Sequence, residues 1–143
     1  MKRKAEPIAL SQVTAVMCNY ARPKSARLVV KRLKDLGLTE IIVWNNSAKP
    51  IPGATRNLQS EKNIGALGRY YAALEASRPY ILMVDDDVLL TKKGLNTLLR
   101  YADRYPAVAQ AGLIFGSPFK KRYRRTKYLS DKVKAPKRVD VAI

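Results

Sequence analysis

Short apolar runs alternate with amphipathic helical patterns as far as Phe115, and this alternation limits the possible folds more than any other feature of the chain. Strands are predicted by the runs at 13–17, 41–44, 55–58, 80–84 and 107–115, with 80–84 as a buried strand. Helices are predicted at three places: from Pro23 to a C-cap at Gly37, after Gly65 over Leu67, Tyr70, Tyr71 and Leu74, and from Lys92 to Ala102. Such alternation predicts a Rossmann-like α/β fold, with a mostly parallel sheet and helices on both faces.

Polar clusters come directly after three of the predicted strands. Asn19-Tyr20 follows the first strand, Asn45-Asn46 follows the second, and Asp85-Asp86-Asp87 follows the run at 80–84. In an open parallel sheet, ligands bind outside the carboxyl ends of the strands. We therefore expect the three clusters to form one site.

Three consecutive aspartates suit a divalent cation. On an extended backbone, the side chains of Asp85 and Asp87 point to one side and that of Asp86 points to the other. Adjacent carboxylates repel and raise one another's pKa, and a bound Mg²⁺ or Mn²⁺ removes that repulsion while water and ligand phosphate oxygens complete its coordination. Two alternatives stay open: a solvated acidic turn, or a charge cluster at the start of the helix near Lys92.

The chain is strongly basic, with a formal net charge of +17. Residues 120–138 contain ten Lys and Arg residues and one acid, which predicts a folded domain over 1–119 followed by an exposed or mobile basic segment over 120–143. A field of this sign attracts nucleic acid, anionic lipid or nucleoside diphosphates.

The chain has no histidine, which excludes His-ligated metal sites and Ser-His-Asp triads, and its one cysteine excludes an internal disulfide.

Four motifs resemble, in their order and spacing, those of GT-A-fold glycosyltransferases. They are Asn19-Tyr20-Ala21-Arg22-Pro23 after a strand, Val43-Trp44-Asn45-Asn46, Asn63-Ile64-Gly65 with Arg69, and Met83-Val84-Asp85-Asp86-Asp87. The second and fourth are most similar to motifs of the exostosin-like hexosaminyltransferases, and family-two-type transferases share the scheme. The resemblance runs from about Val13 to Phe115 and implies the nucleotide-sugar-binding half of such an enzyme.

The resemblance also implies a role for each matching residue. Tyr20 and Arg22 would flank the base and ribose, and Asn45 and Asn46 would contact the base. Arg69 would hold the nucleotide or its diphosphate, and Asp85 and Asp86 would belong to the nucleotide-sugar site, with Asp85 toward the ribose. Asp87 together with Asp85 would bind Mn²⁺ or Mg²⁺. Simpler alternatives exist for most of them. The tyrosines and Trp44 would then be core aromatics, the asparagines a turn, and the arginines solvated charges.

The implied activity is metal-dependent transfer of a sugar from a nucleoside-diphosphate sugar, UDP-sugars being favoured, to a glycan or lipid-linked acceptor. Residues after Phe115 do not match an acceptor-binding half, so we expect the chain to lack a full one and assign no catalytic residue. The rival hypothesis is a non-catalytic basic module that binds an anionic membrane or, less favoured, nucleic acid. With no long apolar run, we expect a cytoplasmic protein, with peripheral attachment at the membrane face as an option.

Overall fold

A computed structural model describes residues 8–110, 112–115, 123–125 and 141–142 of the chain. The chain divides into two compact units, one formed by Ala9–Thr91 and the other by Met1–Ile8 with Lys92–Ile143. The domain boundary predicted between residues 119 and 120 lies outside the described residues.

The unit Ala9–Thr91 is a parallel α/β structure, which confirms the predicted fold class. Its elements are β1 (Val13–Asn19), α1 (Pro23–Asp35), β2 (Glu40–Asn46), β3 (Arg56–Ser60), α2 (Gly68–Leu74) and β4 (Tyr80–Met83), with short 3-10 turns at Leu10–Gln12 and Gly65–Leu67. The four strands lie in the order β3-β2-β1-β4, and every pair is parallel.

Helix α1 forms where the sequence predicts it. Pro23 occupies the first turn, where a missing N–H leaves no hydrogen bond unmade, and Ala26, Val29, Val30 and Leu33 form its buried stripe. Gly37, with φ of +96°, ends the helix and donates its N–H to Lys34 O at 2.8 Å.

The two helices of this unit pack on opposite faces of the sheet. On one face, Val16 of β1 and Ile42 of β2 form a buried cluster with Ala72 of α2. Because side chains alternate along a strand, the intervening residues Ala15 and Val43 point to the other face, where they are fully buried on the side of α1.

Strand β4 lies at the edge of this sheet, and its predicted full burial is wrong. Ile81 and Met83 are 39% and 41% exposed, while the next residue, Val84, is buried. Ile81 and Met83 are paired with Thr14 and Val16 of β1, so they share the α2 face of the sheet. The apolar run therefore reflects an edge strand with one covered face.

The other unit contains one helix and a second, antiparallel sheet among its described residues. Helix α3 spans Lys92–Ala102 and buries Leu95 and Leu99. Strand β5 (Gly112–Phe115) pairs antiparallel with β6 (Tyr123–Arg125) and with β7 (Val141–Ala142). The strand predicted over 107–115 is thus shorter than expected.

Strands β6 and β7 were not predicted, because they lie within the basic segment 120–143; the rest of that segment is outside the described residues. None of the helices that the described residues form has both the length and the apolar character required to cross a bilayer.

Candidate functional site

The three aspartates lie where the strand order of the parallel sheet reverses. The chain builds β1, β2 and β3 outward in one direction and then returns to place β4 on the other side of β1. In open parallel sheets, ligands bind at such a switch point, outside the carboxyl ends of the two strands that flank it, here β1 and β4. The residues that follow β1 and β4, Tyr20–Arg22 and Asp85–Asp87, therefore meet there.

The backbone around the aspartates is anchored at both ends. Val84 donates its N–H to Val16 O at 3.0 Å, which continues the β1–β4 pairing one step past the strand. Val88 then donates to Asp85 O at 3.2 Å and closes a turn. Six residues beyond Val84, Leu90 O accepts a 2.8 Å hydrogen bond from Arg32 Nε of α1. The carboxylates are thus presented on a short loop with fixed ends.

Two arginines neutralise most of the negative charge of the aspartates. Arg22, which directly precedes α1, contacts Asp86 through Nη2 at 3.1 Å and Asp87 through Nη1. Arg69, the second residue of α2, contacts Asp85 with 2.6 Å between Nη2 and Oδ1. Three carboxylates and two guanidiniums give this group a formal charge of −1.

The aspartates are not divided between the two arginines as strand alternation predicts. Asp85 and Asp87 were expected to share one side, with Asp86 on the other. Instead Asp86 and Asp87 share Arg22, and Asp85 has a different partner. The reason is that the extended backbone ends at Met83 and residues 86 and 87 lie in a turn, where strand alternation no longer applies.

The three carboxylates differ in exposure. The side chain of Asp86 is only 12% exposed, whereas those of Asp85 and Asp87 are 52% and 47% exposed. Burial raises the pKa of Asp86 above its ordinary value; Arg22 opposes the rise, and the neighbouring Asp87 and Asp85 add to it. Burial and the neighbouring carboxylates therefore disfavour the ionised form of Asp86, and additional positive charge at this loop would stabilise it.

Cys18 and Tyr20 lie on either side of Asn19, the last residue of β1. Tyr20 is 53% exposed, so it is not a core aromatic, and Tyr70 is likewise exposed at 58%. Cys18 is half-buried and donates weakly to Gly65 O at 3.7 Å. Burial raises the pKa of the Cys18 thiol, with Arg69 acting in the opposite direction, so this thiol is a poor nucleophile at neutral pH.

The predicted base-contacting residues Asn45 and Asn46 are buried within the protein. Strands β1 and β2 continue through Asn19, Asn45 and Asn46 and do not stop before them. The side chains therefore keep alternating onto the two covered faces of the sheet, where Asn45 is 0% and Asn46 is 2% exposed. Neither side chain has surface left for a base, and we exclude both from the ligand contacts proposed below.

Asn45 belongs to a directional chain of amides across three strands. Asn57 Oδ1 accepts the Ile51 N–H at 2.8 Å, which fixes the orientation of its amide. Asn45 Nδ2 then donates to Asn57 Oδ1 at 3.0 Å, and Asn19 Nδ2 donates to Asn45 Oδ1 at 2.8 Å. The chain ends at the buried Asn19 Oδ1, to which no described residue donates. These asparagines fasten the loop between β2 and β3 to the sheet.

Asn46 fastens the entrance to α2 on the opposite face. Its Oδ1 accepts from Ile64 N and from Trp44 Nε1, both at 3.1 Å, and its Nδ2 donates to Gly65 O at 3.0 Å. Gly65 adopts a φ of +63°, which turns the chain into the helix that carries Arg69. Asn46 thus positions an arginine of the site without facing the site itself.

Gly68 is a site-supporting residue that the sequence analysis missed. A Cβ at this position would lie 2.2 Å from Trp44 Cδ1, so only glycine lets α2 approach the indole this closely. Tyr71, one turn further along, stacks on Trp44 with ring centroids 5.4 Å apart. This packing fixes the neighbouring Arg69 over Asp85. A glycine directly before a candidate site arginine, at the start of a helical pattern, was the available signal.

The donor chemistry of the site fits a hard divalent cation. Mg²⁺ and Mn²⁺ prefer oxygen ligands, and Mg²⁺ sites commonly use one or two carboxylates together with water and phosphate oxygens. The half-exposed carboxylates of Asp85 and Asp87 meet that requirement. Within the part of the chain that the structure describes, no three His, Cys, Asp or Glu side chains already converge in a geometry that would hold a metal ion.

No protein-family model matches the sequence, and no curated protein matches it either.

Proposed function

We propose that this protein binds a nucleoside-diphosphate sugar together with Mn²⁺ or Mg²⁺ and acts as a metal-dependent glycosyltransferase. The observation that carries the proposal is the gathering of three carboxylates and two arginines at the switch point between β1 and β4. Carboxylates suit the cation, and guanidinium groups match the paired oxygens of a phosphate. A pyrophosphate ligand with its cation is the simplest species that uses both sets of groups.

Four residues at this edge of the sheet have a role in the proposal. Asp87 and Asp85, the exposed carboxylates, would hold the cation, and the cation supplies positive charge that stabilises a departing diphosphate. Arg69, fixed by the packing of α2, would bind a phosphate oxygen. Tyr20, half-exposed after β1, offers an aromatic face to the base. A UDP-sugar is the favoured donor, with a glycan or lipid-linked acceptor.

Thermal unfolding tests the proposal directly. UDP at about 100 times its Kd is expected to stabilise the protein by about 2.7 kcal/mol when Mn²⁺ is present, which corresponds to a rise in Tm of roughly 5–10 °C for a chain of this size. UDP without Mn²⁺ should shift the Tm by far less. Asp87→Asn should abolish the metal-dependent part of the shift.

The matched control is Asp35→Asn, which removes a surface carboxylate that pairs with Lys31 at 3.0 Å on α1. This variant should keep the full metal-dependent shift. Equal shifts with and without Mn²⁺, or an undiminished shift in Asp87→Asn, would contradict the proposal.

A second candidate function is a basic module that binds an anionic membrane or nucleic acid, and the net charge of +17 favours it. The two proposals differ in their response to salt and to mutation. Binding of anionic vesicles or nucleic acid through the basic residues would weaken steeply with added salt and would survive Asp87→Asn. Such binding without any metal-dependent effect of UDP would favour the second function.

A further inference from the structure

In this structure the candidate metal ligands are not free. Arg22 spans Asp86 and Asp87, and Arg69 pairs with Asp85, so every carboxylate of the triplet has a guanidinium partner. A divalent cation would compete with these guanidiniums for the same oxygen atoms, and the positive charges would repel one another. A cation alone therefore meets a site that the protein's own arginines already occupy.

The two arginines differ in their freedom to leave. Arg22 lies in the loop before α1, and its side chain is 56% exposed. The side chain of its partner Asp87 is 47% exposed. Arg69 is 26% exposed, with a buried Nε, and the contact between Gly68 and Trp44 holds its helix against the sheet. Arg22 is thus the guanidinium that can move with little change in packing.

We propose that Arg22 exchanges partners when ligand binds. In the free protein it holds Asp86 and Asp87; when a cation occupies Asp87, Arg22 turns to the pyrophosphate oxygens, which offer its planar guanidinium an equivalent bidentate partner. The inference rests on the proposed function. Its consequence is that cation and pyrophosphate bind interdependently. The cation takes Asp87 from Arg22, and the pyrophosphate gives Arg22 a new partner and leaves Asp87 to the cation.

Mn²⁺ binding by the protein without nucleotide isolates the first half of this exchange. Arg22→Gln removes the competing charge, so Mn²⁺ alone, titrated by electron paramagnetic resonance of the free ion, should bind about ten-fold more tightly than to the wild type. Lys24→Gln is the matched control, because it removes the same charge two residues away. It should change the affinity less than about two-fold.

UDP binding measured with and without saturating Mn²⁺ tests the second half. In the wild type, Mn²⁺ and UDP should strengthen each other's binding by the same factor, on the order of 100-fold. In Arg22→Gln that factor should fall about ten-fold or more, because the cation no longer has to displace a guanidinium and the pyrophosphate no longer gains one. Circular dichroism and Tm establish that the variant is folded.

Unchanged Mn²⁺ affinity in folded Arg22→Gln, or an undiminished factor between Mn²⁺ and UDP, would overturn the exchange. The proposed function fails separately, if wild-type protein with Mn²⁺ does not bind UDP. The titration with Mn²⁺ alone needs no nucleotide, so it decides whether Arg22 opposes the cation in either case.

Discussion

The two ends of the parallel sheet hold buried carboxylates in opposite electrostatic situations. At the amino end, Glu40 begins β2 and is almost fully buried. It accepts hydrogen bonds from Thr14 Oγ1 and from Ser77 N at 3.3 Å, and Arg78 Nε lies 3.8 Å away. Burial by itself would raise the pKa of Glu40, but these hydrogen bonds and Arg78 outweigh it, and the pKa is lowered.

At the carboxyl end, Asp86 shows the reverse balance. Burial raises its pKa, the neighbouring Asp87 and Asp85 raise it further, and the one opposing charge, Arg22, does not cancel them. The protein therefore stabilises the charge of Glu40 with its own groups and leaves the charge of Asp86 incompletely compensated. Under the proposed function, the amino end serves stability, while the carboxyl end holds negative charge that a bound cation would stabilise.

The largest effect on stability is expected at Asn45, which lies at the carboxyl end but has a structural role. Asn45→Ala should lower the free energy of unfolding by about 2–3 kcal/mol, because it breaks the amide chain between Asn19 and Asn57 and leaves buried polar groups unpaired. Urea unfolding measures this loss. Folded Asn45→Ala should keep its metal-dependent response to UDP.

The control is Gln59→Ala, an exposed amide at the register partner of Asn45 on β3. It should change stability by less than about 0.5 kcal/mol. A stable Asn45→Ala protein that no longer responds to UDP would contradict the purely structural role of Asn45 and would place it among the ligand-binding residues.

A smaller effect sharpens the comparison between the two carboxylates. At neutral pH, Glu40→Gln should lower the free energy of unfolding by about 1–2 kcal/mol, because it removes the charge that its hydrogen-bond donors stabilise. Asp86→Asn should leave stability within about 0.5 kcal/mol of the wild type or raise it, because it removes a charge that burial opposes. Comparable destabilisation by both substitutions would remove the proposed difference.

The pH dependence of these variants follows from the two pKa directions. The contribution of Glu40, whose pKa is lowered on folding, is present at neutral pH and is lost as the pH falls through that lowered pKa. The contribution of Asp86, whose pKa is raised, is present in acid and is lost as the pH rises through that raised pKa. Urea unfolding from about pH 7 to about pH 3 should therefore bring each variant closer to the wild type.

Much of the fold could be predicted from local patterns. Helix α1 was predicted from the helical spacing of its buried stripe and from the residues at its two ends, Pro23 and Gly37. The stripe consists of Ala26, Val29, Val30 and Leu33. The strand at 80–84 was predicted, but its exposed face was not, because this edge strand has the continuous apolar composition that is typical of a central strand. The antiparallel pairing of β5 with β7 joins residues far apart in sequence, and β6 is a short basic run, Tyr123–Arg125, without the apolar residues that indicate a strand.

The proximity of the aspartates and arginines at this edge was predicted, but their contacts were not. The position of Asp85–Asp87 after an apolar run indicated the sheet edge, and Arg22 and Arg69 lie there as expected. Their pairing with the aspartates depends on a turn after Met83 and on the close approach of α2 at Gly68, which are three-dimensional facts. The burial of Asn45 and Asn46 was missed because polar side chains end a predicted strand even where the backbone continues it.

Chemical shifts of backbone amides during titration of isotope-labelled protein with UDP and Mg²⁺ test the central claim most directly. The account predicts saturable shifts at Tyr20, Arg22, Arg69 and Asp85–Asp87, present only with the cation, and none at Glu40 or Ser77. Absence of saturable shifts at the carboxyl end, or shifts of equal size at both ends of the sheet, would contradict it.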